Sequence, residues 1–256
     1  MINPLKFSII TCTWNSVTTL ADTINSVQGQ DYPHIEHIFV DGGSTDGTLE
    51  MIAQRCPQAI VLKDVKGGIS RAMNAGIEAA TGDVVAHLHS DDYYVSIDVL
   101  SNVATRFKNF QNCQWVYGKI HVLNDGTLQT SDYPLSKFTF KRYAAGSATV
   151  QHPAVFIRRG AFAIVGMFNE TLKYAMDIDL WLRLGQHYLP IQIDAPLTVF
   201  REHEGSLSTA NKLKARQEEW LVRRSYFAQA PVETALYGLR YLRRMWRLRR
   251  EVSEIK

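Results

Sequence analysis

The stretch Ile35-Glu36-His37-Ile38-Phe39-Val40-Asp41-Gly42-Gly43-Ser44-Thr45-Asp46-Gly47-Thr48 decides the fold. The run from Ile35 to Val40 is rich in β-branched and aromatic residues and predicts a strand, closed by a polar loop from Asp41 to Gly47. Two adjacent glycines let the backbone turn tightly there. Asp46 suits the N-cap of a helix expected from Gly47 to Arg55, because its carboxylate can accept a free N–H of the first turn. The unit is strand, tight loop and helix, with a carboxylate at the strand end. It is not a dinucleotide fingerprint, since G-x-G-x-x-G is absent.

The same alternation extends in both directions. Phe7 to Thr11 reads as a buried strand, followed by a helix from Val17 to Gln28 with Leu20, Ile24 and Val27 on one face. Downstream come a strand at Ala59–Leu62, a helix at Ser70–Ala80, a strand at Val84–Leu88, a helix at Ser96–Phe107 and a strand at Trp115–Tyr117. Strands alternating with helices predict an α/β fold, a single open, mostly parallel mixed sheet flanked by helices. Past residue 120 the pattern loosens. Gly118 to Tyr133 reads as a hairpin around Asn124-Asp125-Gly126, Ala154–Ile157 as a strand, and Asp177–His187 as a helix. From Leu207 the chain is charge-rich and helical, broken by Pro231. The expected division is a body over 1–205 and a helical basic C-terminal extension over 206–256.

Hydrophobic residues make up 46% of the 256 and charged ones 21%, ordinary values for a globular chain. Apolar runs fall short of the roughly 18 residues of a spanning helix, and no signal peptide is expected ahead of Phe7. Cys12, Cys56 and Cys113 have neither zinc nor disulfide spacing, which suits reduced thiols in a cytoplasmic protein. The net charge of +3 conceals an asymmetry: from Tyr237 to Lys256 six arginines and one lysine face Glu251 and Glu254, a balance of +5. The rest sums to −2, which argues against a nucleic-acid-binding core.

In open α/β sheets, ligands bind beyond the carboxyl ends of the strands. Asn15, Asp41 and the pair Asp91-Asp92 all fall at such ends. Adjacent carboxylates disfavour joint ionisation, and a divalent cation removes that cost. Mg²⁺ and Mn²⁺ commonly bridge one or two carboxylates to substrate phosphates. The alternative is that Asp92 caps the following helix. His87-Leu88-His89-Ser90-Asp91 offers a rival, a metal-dependent hydrolase using His87, His89 and Asp91, although position 92 lacks the final histidine of the H-x-H-x-D-H pattern. Strand alternation also allows both histidines to lie inside the sheet. Asp41 can accept the imide N–H of a uracil or pair with amino groups of another base.

Six ordered motifs over residues 7 to about 205 resemble family-two glycosyltransferases of the A-type fold. They are Phe7-Ser8-Ile9-Ile10-Thr11-Cys12-Thr13-Trp14-Asn15, the Val40-to-Thr48 run, Gly67-Gly68-Ile69-Ser70-Arg71-Ala72-Met73-Asn74-Ala75-Gly76, Ala80-Thr81-Gly82-Asp83 leading into His89-Ser90-Asp91-Asp92, His152-Pro153-Ala154-Val155-Phe156, and Asp177-Ile178-Asp179-Leu180-Trp181-Leu182-Arg183-Leu184. The resemblance implies an inverting transfer of a sugar from a nucleoside diphosphate, UDP above all, to a saccharide or lipid-linked acceptor. It implies a nucleotide-sugar-binding and catalytic domain over 1–205, with Thr13, Trp14, Asn15, Asp41, Gly68, Arg71 and Asp91 at the donor. Asp92 and Asp91 would hold Mn²⁺ or Mg²⁺, and Asp177 sits where the family carries its base. His152, Trp181, Arg201 and His203 are candidates for the acceptor or diphosphate. A catalytically silent nucleotide-sugar binder is a third reading, opposed by the intact Asp92 and Asp177.

The chain departs from the family pattern at several positions. Position 42 is Gly where a second acid is common, Cys12 replaces a proline or small residue, and Met73 stands where Arg is frequent, with Arg71 two residues earlier. Met176 replaces the glutamate that commonly precedes the base, removing an acidic neighbour that would help raise the pKa of Asp177. Asp179 and Arg183, four apart, are expected to pair. Packing competes with an acceptor role for Trp181, and a solvated loop with a diphosphate role for Arg201-Glu202-His203. Over residues 237–252 arginines recur at helical spacing with Trp246, Met245 and tyrosines between them. That pattern suits an anionic membrane surface on the cytoplasmic side, against the alternative of a helix packed on the body.

Overall fold

The computed structural model describes residues 4–130, 137–202 and 211–254, with side chains up to residue 247. Elements are β1 (Phe7–Thr13), α1 (Leu20–Gln28), β2 (Ile35–Asp41), α2 (Thr48–Arg55), β3 (Ile60–Leu62), α3 (Ile69–Ala79), β4 (Val84–His87), β5 (Tyr93–Tyr94) and α4 (Val99–Asn109). There follow β6 (Trp115–Asn124), β7 (Thr127–Thr130), α5 (Phe140–Ala144), β8 (Val155–Arg158), α6 (Phe162–Val165), α7 (Met176–His187), β9 (Ile191–Glu202), α8 (Lys212–Ser225) and α9 (Pro231–Glu254).

One sheet runs in the order β3-β2-β1-β4-β8-β6-β9-β5, with β7 paired to β6. The edge formed by β3, β2, β1 and β4 is parallel, while β8 pairs antiparallel with both β4 and β6. The sheet is therefore mixed and carries helices on both faces, as the sequence predicts. Period two sorts its side chains: Ile10, Val85, Trp115 and Ile157 join one core with α3 and α7, whereas Ile9, Ala86, Val116 and Phe156 join the other with α4. Between α3 and β1 the approach is close. A Cβ on Gly76 would lie 2.4 Å from Ile10 Cγ2.

Several boundaries differ from the sequence expectation, and three of them matter. β1 and β2 run on to Thr13 and Asp41, which are register partners at the ends of their strands. β9 extends to Glu202, because it pairs with β6 as far as Asn124, so Arg201 lies in a strand instead of a solvated loop. At the expected hairpin, Asp125 and Gly126 have φ of 47° and 76°, the left-handed pair of a two-residue turn. His203, the boundary near 206 and the side chains of Leu248, Arg250 and Val252 lie outside the described residues.

The C-terminal helices pack on the body. Val222, Tyr226 and Ala230 belong to the same core as Trp181, and Tyr237 and Met245 are 1% and 6% exposed. Met245 is thus a packing residue, not part of an outward membrane-facing stripe. No described helix is long and apolar enough to cross a membrane.

Candidate active site

The ends of β1 and β2 are stitched together through Asp41. Its Oδ2 accepts from Thr13 Oγ1 at 2.8 Å and Ser44 Oγ at 2.5 Å, and its Oδ1 from the backbone of Gly43 and Ser44 at 2.9 and 2.8 Å. Burial pushes this carboxyl up, but the donors of Ser44, Thr13 and Gly43 outweigh it and hold the group ionised below its usual range. Asp41 therefore first organises its own loop. Asn15, at φ 49°, donates its N–H to Ser44 Oγ and accepts from Thr45 N, so the two loops after β1 and β2 close on each other. Asp46 accepts from Thr48 N and Val17 N, completing the join. Trp14 is left 69% exposed above this floor.

The carboxylate pair follows β4. Asp92 is 1% exposed, and its Oδ1 accepts from Arg201 N at 3.2 Å. Burial, and after it the neighbouring Asp91, pushes the Asp92 carboxyl well above its ordinary range, against the backbone N–H and charge of Arg201. The Arg201 guanidinium pairs with Asp22 at 2.7 Å and lies 5.9 Å from the Tyr93 ring centre. Asp91, Asp92 and Arg201 are thus one cluster. Thr23 Oγ1 bonds the Asp92 carbonyl at 2.7 Å, and Ser90 Oγ bonds Ser16 Oγ at 2.8 Å, tying the pair to the loop after β1.

Gly68 is the N-cap of α3 at φ 99°, and a Cβ there would meet nothing within 4 Å. Arg71 is exposed on the first turn, while Met73 is 1% exposed in the core. Of the two positions, only 71 presents a side chain outward.

The rings of His87, which is buried, and of His89 and His152, which are half-buried, pack together instead of forming a ligand set. His89 lies over His152 at 5.3 Å and 4°, and His87 is 5.6 Å from His152 and edge-on to Phe168. Burial, reinforced by His89, pushes His87 down to about 3; burial lowers His89 against the pull of Asp91, and His152 falls well below its usual value. Among the described residues no three His, Cys, Asp or Glu side chains converge to hold a metal. The hydrolase reading is corrected: His152, in a short turn before β8, stacks on His89 just past the end of β4, and the three rings pack against one another and against Phe168. Trp181, 1% exposed and stacked on Trp115 at 5.9 Å, packs in the core and lines no open surface.

Asp177 opens α7. Its Oδ1 accepts from Ile178 N at 2.7 Å, and burial with the charge of Glu219 raises its carboxyl to about 6, against the Ile178 N–H and Arg223. The acidic neighbour lost at Met176 is thus supplied by α8. Further along α7, Arg183 Nη2 meets Asp179 at 2.8 Å, the expected pair, and also bonds the carbonyl of Met167, while Nη1 bonds that of Gly166.

A model of glycosyl transferase family 2 matches residues 8–164. The chain belongs to that family. A "PGL/p-HBAD biosynthesis glycosyltransferase" of Mycobacterium bovis (strain BCG / Pasteur 1173P2) is 31% identical over 181 residues, 69% of this chain and 68% of the relative. The chondroitin synthase of Pasteurella multocida is 27% identical over 70% of this glycosyltransferase, which spans 19% of that longer protein. In fold it is similar to S. aureus TarS 1-349 in complex with UDP-GlcNAc, at TM-score 0.72 and 21% identity over 91% of this chain and 69% of that one. The mannosyltransferase PcManGT from Pyrobaculum calidifontis, in complex with GDP-Man and Mn2+, aligns at TM-score 0.65 and 15% identity over 93% of this chain and 74% of the other.

Sequence reasoning missed several partners of the candidate site residues. Ser44 reads only as part of the polar loop after Val40, and Ser16, Asp22, Glu218 and Glu219 carry no motif of their own in the sequence. Only Ser44 carried a local signal, three positions past Asp41 in a turn.

Proposed function

We propose that this glycosyltransferase moves a sugar from a UDP-linked donor to the hydroxyl of a saccharide or lipid-linked acceptor, with inversion and with Asp177 as general base. The observation that carries the reading is the carboxyl of Asp177 in the first turn of α7, its Oδ1 held by Ile178 N at 2.7 Å and its pKa raised by burial toward the range in which a base works near neutral pH. An acceptor hydroxyl becomes a competent nucleophile as Asp177 takes its proton. One base suffices for a single in-line displacement, so no sugar need bind covalently to the protein.

The loops after β1 and β2 would receive the nucleotide, with Trp14 free to stack on the base and Asp41 holding Thr13 and Ser44 in place. Asp91 and Asp92 fit Mn²⁺ or Mg²⁺: adjacent hard oxygen donors, one of them buried and costly to ionise alone, match cations that take one or two carboxylates plus phosphate oxygens. Held by Asp91 and Asp92, such a cation would supply positive charge against the charge developing on a leaving diphosphate. Arg201, beside Asp92, and Arg71, outward on α3, are placed to meet phosphate oxygens as well.

The outward residues of α9 support a second surface. Leu239 and Leu242 are 59% and 63% exposed and Trp246 57%, with Arg243, Arg244 and Arg247 exposed beside them. Apolar burial combined with this charge suits an anionic membrane at the cytoplasmic face. Sedimentation with anionic vesicles that falls as salt rises supports it; equal sedimentation of a Leu239→Ser/Leu242→Ser/Trp246→Ser variant sinks it.

Thermal shift with UDP-N-acetylglucosamine, UDP-glucose, UDP-galactose and GDP-mannose, with and without Mn²⁺, tests the donor reading. A Mn²⁺-dependent rise in Tm with at least one UDP-sugar is expected. No shift with any of the four overturns it.

A further inference from the structure

The approach to Asp177 is held from outside the region that matches the family model. Immediately before α7, the backbone N–H groups of Lys173, Tyr174 and Ala175 all point at one side chain, Glu218 of α8. Its Oε2 accepts from Tyr174 at 2.5 Å and Ala175 at 2.8 Å, and Lys173 N lies 3.0 and 3.1 Å from Oε1 and Oε2. The N-cap residue of α7, Ala175, has no side chain that can cap. Three N–H groups at a helix entrance need acceptors, and a carboxylate at the positive end of the helix dipole is a strong one.

The next residue, Glu219, faces inward. It bonds Arg216 at 2.7 Å and Arg223 at 3.0 Å, with Arg223 3% exposed. Arg223 donates to the Tyr143 carbonyl and lies 5.0 and 4.6 Å from the ring centres of Tyr143 and Tyr237. Charged or titratable groups facing Asp177 are therefore Glu219 and Arg223 from α8 and Tyr143 from α5, with the Asp179–Arg183 pair on its own helix. Consecutive glutamates divide the labour. Glu218 grips the backbone that presents Asp177, and Glu219 sits in the charge cluster beside it.

We infer that α8 completes the catalytic centre, with Glu218 as a positioning residue that holds the 173–175 backbone and thereby aims and encloses Asp177. This rests on Asp177 being the base, and it makes the C-terminal extension part of the machinery rather than an appendage. Misplacing a reacting group by about 1 Å can cost about 100-fold in rate. The backbone grip is therefore expected to act on turnover, with donor binding left to the distant loops after β1, β2 and β4.

The test uses the full chain and variants Glu218→Ala, Glu218→Gln and Asp177→Asn. Carbon-13 NMR of aspartate-labelled protein follows the Asp177 carboxyl, assigned by its loss in Asp177→Asn. Its midpoint, about 6 in the parent, is expected to fall by about one unit in Glu218→Ala as enclosure is lost. Nucleoside diphosphate release from the donor giving the largest thermal shift is expected to fall between about 10- and 100-fold in kcat, with donor KM unchanged. Glu218→Gln, which keeps the shape and one acceptor oxygen, should fall less and stay folded if the alanine variant does not. A parental midpoint together with parental kcat in either folded variant overturns the inference. If Asp177→Asn also turns over at the parental rate, the base assignment fails; if Asp177→Asn is slow and the Glu218 variants are not, only the positioning role fails.

Discussion

Arg201 donates its backbone N–H to Asp92 Oδ1 at 3.2 Å, fastening the end of β9 to the loop after β4. The contact fixes a carboxylate that is otherwise disfavoured by its burial and by Asp91. Replacing Asp92 by alanine removes the buried acid without emptying the core. Asp92→Ala is expected to fold normally and to lose Mn²⁺-dependent binding of UDP, read by isothermal titration. Unchanged affinity in Mn²⁺ would remove Asp92 from the metal site.

Asp177 is expected to set both a rate and a stability. Asp177→Asn should bind donor normally and transfer sugar at least about 100-fold more slowly, the low end of general-base contributions. In the parent, turnover should rise with pH through about 6 as the carboxyl ionises. Stability runs the other way. A carboxyl raised on folding favours the folded state below its unfolded pKa of 3.8 and loses that contribution as pH rises through about 6. Asp177→Asn should therefore gain on the parent at pH 8, by an amount on the order of 1 kcal/mol and at most about 3, and lose the gain below pH 4. Denaturant titrations at the two pH values check the sign.

Ser44 links the loops after β1 and β2, donating to Asp41 and accepting from Asn15 N. Ser44→Ala leaves one Asp41 oxygen short of a donor and one N–H without its acceptor. A loss of about 1–2 kcal/mol is expected, with UDP binding weakened several-fold. Parental affinity together with parental stability would show that the loop holds its shape without the hydroxyl.

Tyr237 lies under Arg223 and stacks on Trp220 at 6.2 Å, while Arg240 bonds Ala145 O and Ser147 Oγ. A chain ending near Ala235 is accordingly expected to be destabilised, and Tyr237→Ala to cost about 3 kcal/mol. Trp246→Ala, at an exposed site, should stay within about 0.5 kcal/mol of the parent. A truncated chain with unchanged Tm would mean that α9 rests on the body without supporting it.

The strand-loop-helix units around Asn15, Asp41 and Asp91 are legible in sequence, because the strand pattern and the glycine-rich turns are local signals. His87 and His89 show the limit of such reading. Their spacing matches a metal pattern and an inward strand face equally well, and only the stack of His152 on His89 separates the two. Trp181 is similar: the sequence left packing and an acceptor role side by side, and the stack on Trp115 in the core is the packing one.

By itself the sequence determined the alternating α/β order, the acids at strand ends, the Asp179–Arg183 pair and the basic tail. Each depends on residues a few positions apart, or on a periodicity that one element contains. Tertiary structure decided which distant groups surround each acid: Arg201 against Asp92, Ser44 and Thr13 around Asp41, and Glu218 and Glu219 near Asp177. The electrostatics of a carboxyl depend on burial and on charges a few ångströms away in space. Those distances arise when strand ends meet across the sheet and when α8 packs against α7, which no local pattern in the chain encodes.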